Sequence, residues 1–467
     1  MKVKVLHLDP AQYAVRRPGD MVPLVRNPGV NLTQTPNHRQ KEYMRALNAA
    51  KMDRMFAKPF VAALDGHADS VDIIARSRSL LAPIFTGSAD GVVNFWDLPG
   101  KRCVASMKAH DGFVRGLVVS NDDRVVYSVG SDKRLRAWKL SPDTFIVRDD
   151  QEEDILQSAA AEDQGLLIKS IEGSSAFTSI DHSWDKSGHV ATTCGHTVDV
   201  WNVFRSNSPL QSYQWGEEGL LSCRYNPSEV NLLATTMADN SIGLFDTRSS
   251  SGIQKIFLKN RSNAVAWNPR DPFIFAVAND DGNIYQMDMR KIGIKATPIV
   301  RMHTGHVQGV TDVDFNPLGT ELVSGGYDKT VRIFDLHAQK SREIFHTKRM
   351  QRVLAVKFSG DGRFVLSGSE DTNLRIWKAQ ANAKLGVVDG REARAIEYRN
   401  RLKEKYDKVD EVGKMLHHRH VPKWIKNEGK RRADHFESKK IAEENRVVAG
   451  RKAKTHVLEQ AITRIEQ

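Results

Sequence analysis

The chain has 467 residues, 40% of them hydrophobic and 27% charged, with a formal net charge of +12. No stretch approaches the ~20 consecutive apolar residues that a membrane-spanning helix needs. The start Met1-Lys2-Val3-Lys4-Val5-Leu6-His7 has no long apolar segment of a signal peptide, so neither membrane insertion nor secretion is expected.

Cys103, Cys194 and Cys223 are scattered and odd in number, without disulfide or metal spacing, which suits a reducing compartment. Charge is unevenly spread. Residues 1–60 hold 11 basic and 4 acidic residues, net +7, and residues 391–467 hold 21 and 13, net +8. The middle, with 37 basic and 40 acidic residues, nets −3. The surplus therefore lies in two arms, which suits a phosphate-rich partner.

The N-terminal arm, residues 1–60, begins with Pro10, Pro18, Pro23, Pro28 and Pro36, so residues 8–38 are expected to run extended. Residues 40–56 favour a helix, with Met44, Leu47, Met52, Met55 and Phe56 as its apolar positions.

From about residue 61 a phrase recurs: an Asp, five residues, then a bulky apolar residue. Asp90 precedes Trp96, Asp132 precedes Trp138, Asp239 precedes Phe245, and Asp281 precedes Met287. Asp328 precedes Phe334 and Asp371 precedes Trp377. A seventh copy ends at Trp201, with Gly195 read in the Asp position. Successive endings lie 42, 63, 44, 42, 47 and 43 residues apart. Periods of about 40–45 ending in Trp-Asp mark four-stranded propeller blades. The chain is thus read as all-β, a seven-bladed WD40 β-propeller over residues 61–380, flanked by a basic extended and helical N-terminal arm and a basic helical C-terminal extension at 381–467.

The spacing has a chemical reason. In such a blade a loop His, a strand Ser or Thr, the turn Asp and the Trp satisfy one another's buried polar atoms. Blade 1 offers His67, Thr86, Asp90 and Trp96, and blade 2 offers His110, Ser128, Asp132 and Trp138. Blade 6 keeps His306, Ser324 and Asp328 but ends in Phe334. Blades 3, 4, 5 and 7 are incomplete: Arg349 stands where blade 7 would carry His, and Val277 where blade 5 would carry the hydroxyl. A ring must close, and the apolar stretch Phe60 to Leu64 is expected to complete the last blade beside Trp377, leaving no long free edge.

The long gap before blade 3 marks an insertion at 141–175 with the acidic run Asp149-Asp150-Gln151-Glu152-Glu153-Asp154, read as a surface loop. In the C-terminal extension, Ile396, Leu402, Tyr406, Val409, Val412 and Leu416 form a helical stripe that Gly413 weakens at its end. Basic clusters follow at Lys430-Arg431-Arg432, Lys439-Lys440 and Arg451-Lys452-Ala453-Lys454. The recurring Ser, His and Asp imitate a hydrolase triad, but the blades use them internally. There is no P-loop, and His417-His418-Arg419-His420 lacks acidic or cysteine partners at metal spacing. No enzyme activity, cofactor, metal, membrane or small-molecule substrate is expected.

Two phrases, Asp246-Thr247-Arg248 and Asp288-Met289-Arg290, are similar to the Asp-x-Arg box through which some propellers dock on the adaptor of a cullin-four ubiquitin ligase. Arg suits such a contact because its fork matches a carboxylate.

The arm from Glu42 to Phe60, with Ala49-Ala50-Lys51-Met52-Asp53-Arg54-Met55-Phe56 at its heart, resembles the hallmark segment of the Sof family of WD40 proteins. The tail segment Arg419-His420-Val421-Pro422-Lys423 resembles that family's C-terminal domain. The resemblance implies a non-catalytic scaffold of the U3 small nucleolar ribonucleoprotein and small-subunit processome, which cleaves the 18S ribosomal RNA precursor in the nucleolus. It implies partners among processome proteins and pre-rRNA or U3 snoRNA. It also implies a second role for animal relatives, as cullin-four ligase substrate receptors. The residues expected to meet RNA or the particle are Arg45, Lys51, Arg54 and Lys58 in the N-terminal arm. In the tail they are Arg419, His420, Lys423, Lys430, Arg431 and Arg432.

Overall fold

The computed structural model describes residues 38–140, 167–185, 188–249, 251–291, 298–448 and 462–466. The proline-rich start, residues 141–166 of the insertion and the cluster at 451–454 lie outside the described residues. Within the described part of the expected loop, Leu167–Glu172 is instead the outer strand of blade 2, paired antiparallel with Arg134–Lys139. The chain divides into two compact units. Residues 38–58 and 382–418 make one, and residues 59–381 with those from Arg419 onward make the other.

The larger unit is the propeller. Seven antiparallel sheets follow one another in chain order. The first strand of each lies beside the first strand of the next, and the seventh returns to the first. Blade 1 comprises Val71–Arg76, Pro83–Ser88, Val92–Asp97 and Arg102–Lys108. Blade 7 comprises Val353–Phe358, Phe364–Ser369 and Leu374–Lys378, and its outer strand is Phe60–Leu64. Phe60 faces Trp377 in the register and Leu64 faces Leu374. The expected closure is therefore made by the segment just before the first loop His. Buried side chains from neighbouring sheets interlock, as where Phe95 and Val114 of blades 1 and 2 share one cluster.

Blade 2 carries the full polar relay. The His110 imidazole meets Asp132 at 2.9 Å through Nδ1 and Ser128 Oγ at 2.8 Å through Nε2. Trp138 Nε1 donates to the same Ser128 Oγ at 2.9 Å. A carboxylate only accepts, so His110 Nδ1 must donate to it, Nε2 accepts from the Ser128 hydroxyl, and the hydroxyl oxygen accepts from the indole. Blade 6 repeats the first two links, His306 to Asp328 at 3.0 Å and to Ser324 at 2.7 Å. Phe334 brings no donor.

Two expectations are corrected. In blade 1, His67 reaches Thr86 at 2.6 Å and Trp96 donates to Thr86 at 2.7 Å. His67 Nδ1, however, is buried without a partner, while Asp90 accepts from its own turn at Val92 N. That relay is open at its Asp end. In blade 3, Gly195 does not occupy an Asp position. Thr192 pairs with Asp199 as Thr86 pairs with Asn94, so the hairpin loop is Gly195-His196, one residue shorter than Ala89-Asp90-Gly91. Gly195 sits at φ 60°, as the first residue of a tight two-residue hairpin requires. Trp201 still donates to Thr192 at 2.8 Å.

The smaller unit is helical. Helix α1, His38–Met55, packs against α2, Gly390–Tyr406, and α3, Asp410–Leu416. Residues 38–58 and 382–418, parts of the two arms expected as separate domains, pack together as this unit. Its core holds Leu47, Ala50 and Val412, edged by Tyr43, Tyr406 and Leu416. The buried face of α1 is lined by Ala46, Ala49 and Ala50, whose small side chains let the helices approach, while Met44, Met52, Met55 and Phe56 stay exposed. The expected single stripe is two helices. Gly413 is needed in the second, because a Cβ there would sit 2.5 Å from the Asp407 carbonyl oxygen.

Beyond residue 419 the tail belongs with the propeller. Helix α4, Lys423–Val448, buries Ile425, and Ala433 to Ser438 are all exposed. Against the expectation of an all-helical tail, Ile462–Glu466 form a strand, added antiparallel to the outer strand Gly252–Leu258 as the fifth strand of blade 4.

Ser128→Ala in blade 2 strips a partner from both His110 and Trp138, whereas Ser324→Ala in blade 6 strips one from His306 alone. With about 1–3 kcal/mol for each orphaned buried group, Ser128→Ala is expected to cost roughly twice as much stability, read by denaturant unfolding. Burial also lowers the pKa of His67 and His182 from 6.5 to about 4. Between those values the unfolded chain binds protons that the folded ring refuses. Stability is therefore complete above pH 6.5 and falls as pH drops toward 4, by up to about 1.4 kcal/mol per pH unit for each histidine. Melting temperature followed across that window checks this; a flat profile contradicts neutral buried imidazoles.

Candidate interaction site

The two Asp-x-Arg phrases end the third strands of adjacent blades, at Asp246 and Asp288. Each Asp turns back on the chain. Asp246 Oδ1 accepts from Arg248 N at 2.9 Å, and Asp288 Oδ1 from Arg290 N at 3.0 Å. Each Arg then folds over the same carboxylate, Nε to Oδ1 at 3.2 and 3.1 Å and Nη2 to Oδ2 at 3.0 Å in both. The two-residue spacing is what lets one carboxylate accept from backbone and guanidinium together. Hydrogen bonding from Arg248 holds the Asp246 carboxyl below its usual range. For Asp288, burial acts against ionisation, but Arg290 prevails and lowers it as well. The Arg290 guanidinium also lies 4.6 Å from the Phe273 ring centre. Both Arg side chains remain mostly exposed, at 72% and 60%. The result is a pair of preset guanidinium groups, each with Nη1 directed to neither Asp oxygen.

The basic residues expected to meet RNA divide into two kinds. Arg54 donates to the Leu416 carbonyl at the end of α3, where a cation satisfies an unpaired helix terminus. Arg45 reaches the Tyr398 hydroxyl at 3.5 Å. Asp53 and Glu42 pair with Lys403 and Lys405. Arg45 and Arg54 therefore help to hold the helical unit, while Lys51 and Lys58 are exposed. In the tail, Arg419 Nη1 donates to the Ser341 carbonyl of blade 6 at 3.0 Å, and the His420 ring lies 5.4 Å from that of His346. Arg432 Nη1 reaches the Asp281 carbonyl in the blade 5 turn at 3.4 Å. These three are tethers that lay the tail on the propeller. Lys423, Lys430 and Arg431 are exposed, with Arg431 paired to Glu428 on its own helix.

The channel mouth is a further candidate that the sequence does not announce. A cavity of about 160 Å³ opens where the first strands of the blades end. Its charges are mutually engaged: Asp181 stands between Arg78 at 3.7 Å and Arg224 at 3.9 Å, and Lys357 pairs with Asp314 at 3.0 Å. Asp181 and Asp314 also accept from Tyr225 N and Phe358 N of the following blades. These contacts bolt blade to blade. Among the described residues, no group of three or more His, Cys, Asp or Glu is placed to hold a metal ion.

Fold and surface together define a WD40 scaffold, a ring whose polar side chains serve its own blades and whose tail beyond Arg419 is tethered to blades 5 and 6. A WD domain, G-beta repeat, matches residues 101–139, 298–335 and 341–378, and a Sof1-like domain matches residues 379–462. The chain is 39% identical over 445 residues to the zebrafish DDB1- and CUL4-associated factor 13, covering 95% of this chain and 94% of that one. It is 38% identical over 449 residues to the human protein of the same name, covering 96% and 95%. It is 36% identical over 438 residues to budding yeast Protein SOF1, covering 91% and 87%. The chain belongs to the Sof1-like family of WD40 proteins.

Proposed function

We propose that this chain is a non-catalytic scaffold of the U3 small nucleolar ribonucleoprotein and small-subunit processome, acting in the nucleolus during maturation of 18S ribosomal RNA. What carries the reading is the extent of the likeness to Protein SOF1, which spans nearly the whole chain, together with the Sof1-like domain over residues 379–462. The physical features support it. The ring presents blade surfaces suited to protein neighbours, and the exposed cations Lys51, Lys58, Lys423, Lys430 and Arg431 suit sequence-independent phosphate contacts.

A second reading has its own observation. Relatives are named as factors associated with DDB1 and CUL4, and this chain holds two preset Arg forks in adjacent blades at Arg248 and Arg290. On that reading the forks meet the adaptor of a cullin-four ligase.

One experiment separates the two. The tagged full chain is expected to co-sediment with large pre-ribosomal particles. Replacing the exposed Lys423, Lys430 and Arg431 together by Ala removes these cations and keeps the tethers Arg419 and Arg432, so the ring stays folded while co-sedimentation weakens. Replacing Arg248 and Arg290 by Ala leaves sedimentation intact and lowers capture by the adaptor about tenfold or more, the usual cost of losing buried Arg anchors. A full chain that sediments alone overturns the processome reading. Unchanged adaptor capture by the double variant overturns the ligase reading.

A further inference from the structure

The connections that lead into the first strand of each blade differ sharply in charge. Those into blades 1, 2 and 4 carry Asp65 and Asp69, Asp111, and Glu217 and Glu218. The connection into blade 7, residues 346–352, reads His-Thr-Lys-Arg-Met-Gln-Arg and holds no acid. Arg349 stands where a complete blade buries its His. It does not enter that slot; it is exposed, and Met350 is buried beside it at 2%. Blade 7 thus gives up its imidazole relay and gains surface cations.

The neighbouring hairpin turn of blade 6 adds to them. In Tyr327-Asp328-Lys329, Asp328 faces inward and is fully buried, while Lys329 takes φ 58° and is exposed. The turn and the connection touch. Lys329 Nζ donates to Gln351 Oε1 at 2.7 Å, and the Arg352 guanidinium lies 5.7 Å from the Tyr327 ring centre. Lys329, Lys348, Arg349, Gln351 and Arg352 are exposed, and so is Tyr327 at 37%. Among the described residues, Glu370 is the one carboxylate paired with this patch, 3.8 Å from Arg352. Arg419 and His420, tethered at Ser341 and His346, carry the positive surface on into the tail.

We propose that this patch at the boundary of blades 6 and 7 binds single-stranded RNA. Lys329, Lys348 and Arg349 contact successive phosphates, and Tyr327, held by Arg352, offers its ring to an unstacked base. Cations without carboxylate partners, on a ring whose overall charge is slightly negative, select a polyanion. An exposed aromatic ring beside an Arg is the element that single-stranded nucleic acid uses and a duplex, with its bases stacked inside, does not. The proposal deepens the processome reading and rests on it for the source of RNA, and it assigns RNA contact to the ring as well as to the arms.

The test uses the purified full chain and a labelled single-stranded oligonucleotide of uridines and adenosines, followed by anisotropy across a salt series. Replacing Lys329, Lys348 and Arg349 together by Ala is expected to weaken binding at least tenfold and to lower the slope of log affinity against log salt by about 2, at about 0.7 per lost phosphate contact. Tyr327→Ala is expected to weaken binding by about fivefold or more with the salt slope unchanged, as loss of stacking does. The replaced side chains are exposed, and an unchanged melting temperature establishes that the variants are folded. An unchanged salt slope in the triple variant overturns the proposal. So does equal loss of binding to an acidic polyglutamate peptide with no effect of Tyr327→Ala, which marks the patch as a protein-docking surface. The processome reading fails separately, when the unaltered chain does not sediment with pre-ribosomal particles whatever this patch binds.

Discussion

The ring exists because one strand is borrowed. Blade 7 has three strands of its own, and Phe60–Leu64 supplies the fourth in antiparallel register with Leu374–Lys378. Without that pairing the Trp377 strand would present unpaired N–H and C=O groups, the usual template for aggregation. The same pairing fixes where the chain enters and leaves the ring. Lys378 N donates to the Pro59 carbonyl at 2.8 Å, so the segment leading in and the segment leading out start side by side. Segments more than 300 residues apart in sequence thereby begin as neighbours, and bringing them together costs far less chain entropy than two free arms would. The packing of α1 on α2 and α3 follows from closure as much as from their own apolar faces.

Within the ring, the polar relay is unevenly kept. Blade 2 completes it, blade 6 replaces the indole donor by Phe334, and blade 1 leaves His67 Nδ1 unsatisfied. Blade 3 shortens its hairpin by a residue and has no turn Asp, yet Trp201 still finds Thr192. The link that recurs is indole to hydroxyl, seen again between Trp377 and Ser367 at 2.8 Å. It lies between the middle strands of a blade, where the core is driest and an unpaired donor costs most. The His–Asp link, largely buried in blades 2 and 6, is kept less consistently: blade 1 leaves it open and blade 7 does without its His.

Charge follows the same division between inside and outside. Basic residues that a composition argument assigns to RNA are partly spent on the protein's own carbonyls: Arg54 on Leu416, Arg419 on Ser341, Arg432 on Asp281. The Asp-x-Arg forks likewise pair internally before any partner arrives. Arginine suits these places because its planar fork keeps free donors after two are engaged. A tether and a contact surface are therefore not exclusive roles for one guanidinium.

The amino-acid sequence by itself determined the seven blades, the members of the relay in blades 2 and 6, the closing strand and the helical nature of α1. These are legible because each rests on local spacing: a period of 42 to 47 residues in five of the six gaps, a hydroxyl ten residues before an indole, apolar residues along one helix. Tertiary structure alone decided which face of α1 is buried, since Ala46, Ala49 and Ala50 pack there while the larger methionines do not. It alone decided the open relay at His67, the missing residue at Gly195, the tethering of Arg419 and Arg432, and the pairing of Ile462–Glu466 with blade 4. Each of these depends on which distant backbone or side chain stands opposite. Local spacing carries no such information; only the closed ring brings those groups within hydrogen-bond reach.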